Sequence, residues 1–221
     1  MSNPALLGRI DSAIAEKNVL KHPFYLDWQA GKLTREALQL YAAQYYQHVA
    51  AFPEHLRTLA ARANGPLRDI VMENLAEEEN PAAPHPKMWQ DFAASLGVTD
   101  VQIAASQVLP GTHALVETFR NICAKRSLPE AVAALYAYES QVPEVAATKI
   151  DGLHRFYGIT DARGTAYFSV HAEVDKVHRQ AWRLWLEDQV DSMCDEQVLA
   201  TTHLALDALW SALTAVHDAA V

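Results

Sequence analysis

Apolar positions recur at three- and four-residue intervals along almost the whole chain and nowhere alternate in the manner of a half-buried strand. Residues 4–16 set Leu6, Leu7, Ile10 and Ile14 on one helical stripe. His22 and Pro23 then open a short aromatic helix through Phe24, Tyr25 and Trp28 that stops at Gly31, with the proline in the first turn, where no amide is needed. Thr34, with Glu36 close behind, starts a long helix through the aromatic segment 41–46 to the region of Pro53. Asn64-Gly65-Pro66 reads as a turn and 67–79 as a helix; the prolines at 81, 84 and 86 end it, since a proline ring lacks an amide and clashes with the preceding turn. The next helix ends at Gly97, and Pro110-Gly111 separates it from one over 112–126. A long helix over 129–157 carries Pro143 in its interior, another covers 163–190, and the last runs from 195 to 219. Val, Ile and Thr are scattered, so no strand is expected. The pattern predicts an all-α fold, one domain over residues 1–221 built of roughly eight to ten helices.

Composition narrows the partners. Half of the 221 residues are apolar and a fifth charged, enough for one substantial core without division. A net charge of −9 and the lack of any basic run argue against nucleic acid. Cys123 and Cys194 stand far apart and suit free thiols in a reducing compartment. No apolar run is read as a membrane span and the first residues show no secretory pattern, so a cytoplasmic protein without a membrane partner is expected.

Candidate chemistry lies in the run from His171 to His178. At about 100° per residue, His171, Asp175 and His178 fall within roughly 60° of one another, on one face. Two imidazoles and a carboxylate are ligands that iron and manganese accept. The two histidines stand roughly 10 Å apart along the axis, too far to grip one ion easily, so two metals about 3.5–4 Å apart, each taking one histidine, fit better. On its own the run also describes a solvated helix face. Its companions change the balance: Glu139 sits in an apolar and aromatic stretch from Leu135 to Val142, where a carboxylate needs a partner, and Glu78 follows Ile70, Val71 and Leu75, seven residues before His85. Together they make a set of three histidines and three carboxylates of the kind that helix-bundle dimetal sites use. Pro143, four residues after Glu139, is expected to kink the helix beside that ligand, and the 80–86 segment to deliver His85 from a loop. Tyr41, Tyr45 and His48 recur as a core-facing stripe does, and Trp182, Trp185 and Trp210 read as core or interface. From spacing alone Tyr25 is a core residue and Lys149 a surface charge.

These residues resemble the family of the Chlamydia protein associating with death domains, a branch of the haem-oxygenase-like dimetal oxidases. The likeness spans nearly the whole chain: Glu78 and His85, Glu139 within Tyr136-Ala137-Tyr138-Glu139-Ser140-Gln141, His171, Asp175 and His178, the segment His22 to Trp28, the stretch Tyr41 to Pro53, and Ala147 to Leu153. The resemblance implies a haem-oxygenase-like helical bundle, usually a homodimer, with two transition-metal ions (Fe/Fe or Mn/Fe) on those six ligands. It implies an O2-activating oxidase, supplied by an external reductant from an unidentified electron donor, that forms p-aminobenzoate for folate biosynthesis. In that scheme the protein's own tyrosine is the ring source; Tyr25 matches it and Lys149 matches the nitrogen donor, with Tyr41 and Tyr138 lining the pocket. Two other readings stand beside it. A thiaminase-like hydrolase of the same fold needs a pocket cysteine that the 130–142 helix lacks, and a non-enzymatic interaction protein has no recognisable surface in the sequence.

Overall fold

The computed structural model describes residues 4–188 and 195–220, all in helices and their connections. The helices are α1 (Pro4–Glu16), α2 (Pro23–Gln29), α3 (Arg35–Arg62), α4 (Gly65–Glu78), α5 (His85–Ser95), α6 (Asp100–Ala105), α7 (Pro110–Lys125), α8 (Leu128–Glu139), α9 (Val142–Arg155), α10 (Ala162–Asp188) and α11 (Asp195–Ala219), with a single 3-10 turn at Val19–Lys21. Cys194 lies outside the described residues.

Local chemistry explains the boundaries. Thr34 caps α3 by accepting from the Ala37 amide at 3.1 Å. Ser127 and Glu130 form a reciprocal capping box at the start of α8, and Glu130 also accepts from Thr201 Oγ1 at 2.8 Å, which ties that helix start to α11. Three expectations are corrected. The helix expected over 129–157 is two helices: Pro143 offers no amide to the Glu139 carbonyl, so α8 ends there and α9 begins with that proline in its first turn. The interruption falls at Ser140-Gln141, directly after Glu139, with both residues still in helical backbone. His85 is the first residue of α5 rather than a loop residue, and Gly65 and Pro66 open α4 rather than forming a separate turn. The sequence reading also passed over α6, whose Thr99–Gln102 capping box supports a helix too short to show periodicity. Pro53, by contrast, sits inside α3 without ending it, in a helix held on several sides by α4, α5 and α7.

One hydrophobic core runs through all the major helices. α10 packs on α5, α8 and α9, while α11 packs on α7 and α8. By length and composition alone α11 is apolar enough to cross a membrane, with mean hydropathy 1.2, but half of that stretch is buried inside the bundle, as befits a core helix, and it makes no convincing span. α2 lies against α9, and the contact is close: a Cβ added at Gly152 would fall on the Trp28 indole.

A candidate dimetal centre beside a lysine in an aromatic cage

Helix α10 lays a stripe of buried residues along one face, Gly164, Phe168, His171, Asp175, His178, Trp182 and Leu186, recurring every three or four positions. α4 brings a second stripe, Leu67, Val71, Asn74 and Glu78. α5 contributes His85 from its first turn, and α8 contributes Glu139 from its last. All six expected ligands are buried, between 2% and 7% exposed, and they converge as two groups. Glu78, His85 and His171 form one, Glu139, Asp175 and His178 the other, with the ligand atoms of each group within 4.8 Å of one another.

The fit to metal ions rests on how these atoms are engaged. His85 Nδ1 lies 3.0 Å from Glu78 Oε1, yet the orientation gives it no hydrogen bond, and Asp175 Oδ2 is likewise without a partner. Orphaned buried atoms of this kind are costly unless something binds them. His171 has its Nδ1 2.7 Å from the Tyr167 carbonyl. Donation there places the proton on Nδ1 and leaves Nε2 bare, 4.0 Å from Glu78. His178 Nδ1 stands 3.4 Å from Asp175 and 3.7 Å from Glu139. Burial pushes Glu139 up to about 8, an effect Asp175 reinforces and His178 opposes. Asp175 is raised well above its ordinary range by burial and by Glu78, and His171 is driven well below its own by burial and by His85. The protein alone favours the neutral forms of Glu139 and Asp175. Cations would supply the charge that keeps these two carboxylates ionised in so dry a place.

Sequence reasoning missed the residues that aim these ligands. Asn74 Nδ2 donates to both Glu139 oxygens, at 3.0 and 3.1 Å. Trp182, read from the sequence as mere core or interface, is fully buried and donates its indole N–H to Glu139 Oε2 at 2.7 Å. Tyr167 stacks on the His171 ring at 4.0 Å. The one signal that points to Trp182 is its place four residues after His178 on the ligand stripe.

Beside the first group lies Lys149. The spacing-based reading as a surface charge is wrong: it is 4% exposed. Its amine donates to Tyr41 Oη at 2.6 Å and sits 5.0 to 5.7 Å from the ring centres of Tyr25, Tyr41, Tyr45, Trp89 and Phe168. Desolvation pulls it down to about 7, so a large share of it is a neutral amine at neutral pH. Tyr25 is buried and places its Oη 3.4 Å from that of Tyr41. Burial pushes the phenols of Tyr25, Tyr41 and Tyr138 up, so all three stay protonated. Tyr138, expected in the pocket, shares a hydrogen-bonded hydroxyl pair with Tyr45 at 3.1 Å. The space between Tyr138, Lys149, Tyr167 and His171 is a cavity of about 20 Å3. That is room for one molecule the size of water or dioxygen, and not for an aromatic ring.

Comparison with known proteins follows the same lines. The model of the family described as iron-containing redox enzyme matches residues 39–210. The 4-aminobenzoate synthase of Nitrosomonas europaea is 41% identical, over 95% of this chain and 90% of that protein. The 4-aminobenzoate synthase of Chlamydia pneumoniae is 38% identical, over 93% of this chain and 92% of that protein. Among solved structures, a domain of unknown function with a haem oxygenase-like fold from Shewanella denitrificans superposes with a TM-score of 0.81 at 18% identity, over 98% of this chain and 92% of that one, a likeness of fold alone.

Proposed function

Because the chain belongs to the iron-containing redox enzymes, in the haem-oxygenase-like fold, we propose that it makes 4-aminobenzoate from the ring of its own Tyr25, with Lys149 as nitrogen donor. Relative to a tyrosine side chain, 4-aminobenzoate carries nitrogen in place of the phenol oxygen and a carboxylate in place of Cβ. The conversion therefore needs an amine, cleavage of that amine's own Cε–Nζ bond, departure of the phenol oxygen as water, an oxidant to take Cβ to a carboxylate, and rupture of the Cα–Cβ bond. Glu78, His85 and His171 would hold one transition metal, Glu139, Asp175 and His178 a second, as Fe/Fe or Mn/Fe. Such a pair, reduced by an external donor, supplies the oxidising power of O2.

The chain's own residues do the rest. Asn74 and Trp182 fix the Glu139 carboxylate, and Tyr167 fixes the tautomer of His171. Tyr41 accepts a hydrogen bond from the Lys149 amine and holds it against the Tyr25 ring, while burial keeps much of that amine neutral and hence nucleophilic. The aromatic walls exclude water. The observation that carries this reading is the buried Lys149 amine caged 5.7 Å from the Tyr25 ring centre, beside a cavity that admits a diatomic gas and no second ring. The same reading places a homodimer in the cytoplasm. A thiaminase-like hydrolysis finds no cysteine nucleophile among the described residues: Cys123 is buried and its thiol is pushed up to about 12, which disfavours the thiolate at neutral pH.

Protein made with ring-labelled tyrosine, loaded with iron or with iron and manganese, and exposed to reductant and O2, should release labelled 4-aminobenzoate in amounts that do not exceed the protein. Tyr25→Phe should abolish the product while retaining both metals. Undiminished product from Tyr25→Phe would establish an external substrate instead.

A further inference from the structure

The small cavity that ends at Lys149 and His171 does not stand alone. Tyr45, Tyr138, Val142 and Val145 form its far wall, and the same four residues bound a second cavity of about 30 Å3 that continues past Tyr25 between Leu209 and Leu213. That second cavity ends at Gln141. On the other side of Gln141 is an open surface groove bounded by Asn18, Ser140 and Arg179. A third cavity, of about 10 Å3, branches off beside Leu115 and Val216; it is too small for a water molecule and touches neither Lys149 nor any of the six ligands, so it is a dead end.

Two features suit the series to an apolar gas. Its shared wall is mainly apolar, Val142 and Val145 beside the rings of Tyr45 and Tyr138, whose hydroxyls pair with each other at 3.1 Å, so water gains few hydrogen bonds there, whereas dry apolar cavities take up xenon and similar guests. Its two chambers, about 30 and 20 Å3, hold a small gas molecule and no aromatic ring. Gln141 occupies the joint between α8 and α9, where Pro143 has no amide to offer the Glu139 carbonyl and the Gln141 amide reaches back only to the Tyr138 carbonyl, at 3.2 Å. Its buried side chain bridges the gap, accepting from the Val19 amide at 2.9 Å and donating to the Ala137 carbonyl at 2.7 Å.

We propose that this series of cavities is the dioxygen route of the protein, entered past Gln141, running beside Tyr25 and delivering the gas at His171. The inference rests on the reading of the centre as a consumer of O2. A side entrance of this kind leaves the Lys149 cage closed to bulk water while O2 arrives.

Crystals of the metal-free protein held under xenon pressure test the route without any turnover; xenon should appear in the cavity beside Tyr25 or in the one beside His171. Val145 borders both, so Val145→Phe should exclude xenon and lower the second-order rate of O2 consumption by iron-loaded protein about tenfold, with metal content unchanged. Val145→Ile, a milder filling that preserves packing, should fall between. Gln141→Ala should raise the rate, and an unchanged rate would overturn Gln141 as the entrance. Absence of xenon from both cavities, or Val145→Phe that excludes xenon yet reacts with O2 at the original rate, overturns the route. Wild-type protein that takes up xenon but leaves O2 unconsumed when loaded with iron overturns the functional reading, and with it the dioxygen role, through a result distinct from either of those.

Discussion

Two pairs of histidines in this molecule share one spacing and differ in everything else. His171 and His178 lie seven residues apart on the buried face of α10; His48 and His55 lie seven apart on the buried face of α3. The first pair meets carboxylates from three helices, Glu78, Glu139 and Asp175. His48 meets the rings of Tyr45, Phe52, Phe119 and Tyr138, and neither of its nitrogens has a hydrogen-bond partner. Burial holds His48 down at about 3 and His55 at about 4, with no buried acid beside either to reverse it. Histidine spacing thus selects a helix face and nothing more. The character of the site comes from acids delivered by other helices, and from donors such as Asn74 and Trp182 that aim them.

The widest gap between the two pairs should open on truncation. Glu139→Ala should lose at least one metal and all product, because it removes a ligand and strands the Asn74 and Trp182 donors, whereas His48→Phe should keep both metals; metal analysis by mass spectrometry checks the pair of variants. Trp182→Phe is a smaller perturbation. It deletes the 2.7 Å bond to Glu139 and should weaken metal binding at that group by about 10–100-fold, measurable by competition with a chelator. The smallest effect concerns stability. An unfolded histidine takes up its proton near 6.5 and the buried His48 only near 3, so the unfolded chain gains protons first as pH falls. Stability is therefore whole above 6.5 and declines from there toward 3. His48→Phe should flatten that decline and be neutral to about 1 kcal/mol more stable at pH 7, since it replaces two unsatisfied nitrogens with apolar surface. Urea melts across that pH range would show it, and a wild-type slope retained in His48→Phe would remove His48 as its source.

Much of this was legible before any coordinates. The amphipathic stripes of α1, α3, α4, α10 and α11 follow from helical periodicity, and the six converging side chains are the six that spacing and family resemblance singled out. What escaped was whatever depends on a second element. Pro143 stands in the first turn of a new helix while Pro53 stays inside α3, a difference that the periodicity around either proline does not signal. α11 carries membrane-like hydropathy and is half buried, packed chiefly on α7 and α8 with α1, α2 and α3 also touching it. Lys149 looks like any surface lysine until α2, α3, α5 and α10 bring rings around it. Asn74 and Trp182 have no motif at all; their role exists only where α4 and α10 meet the end of α8.

Gly152 follows Lys149 by three residues on α9, and Tyr25 precedes Trp28 by three on α2, so the contact of Gly152 with Trp28 is a spacer one helical turn from the pair proposed to react. Were residue 152 an alanine, its methyl group would act as a wedge, prising α2 outward and carrying the Tyr25 ring away from the Lys149 amine. The reach between these two side chains is gauged by a missing carbon on neither of them.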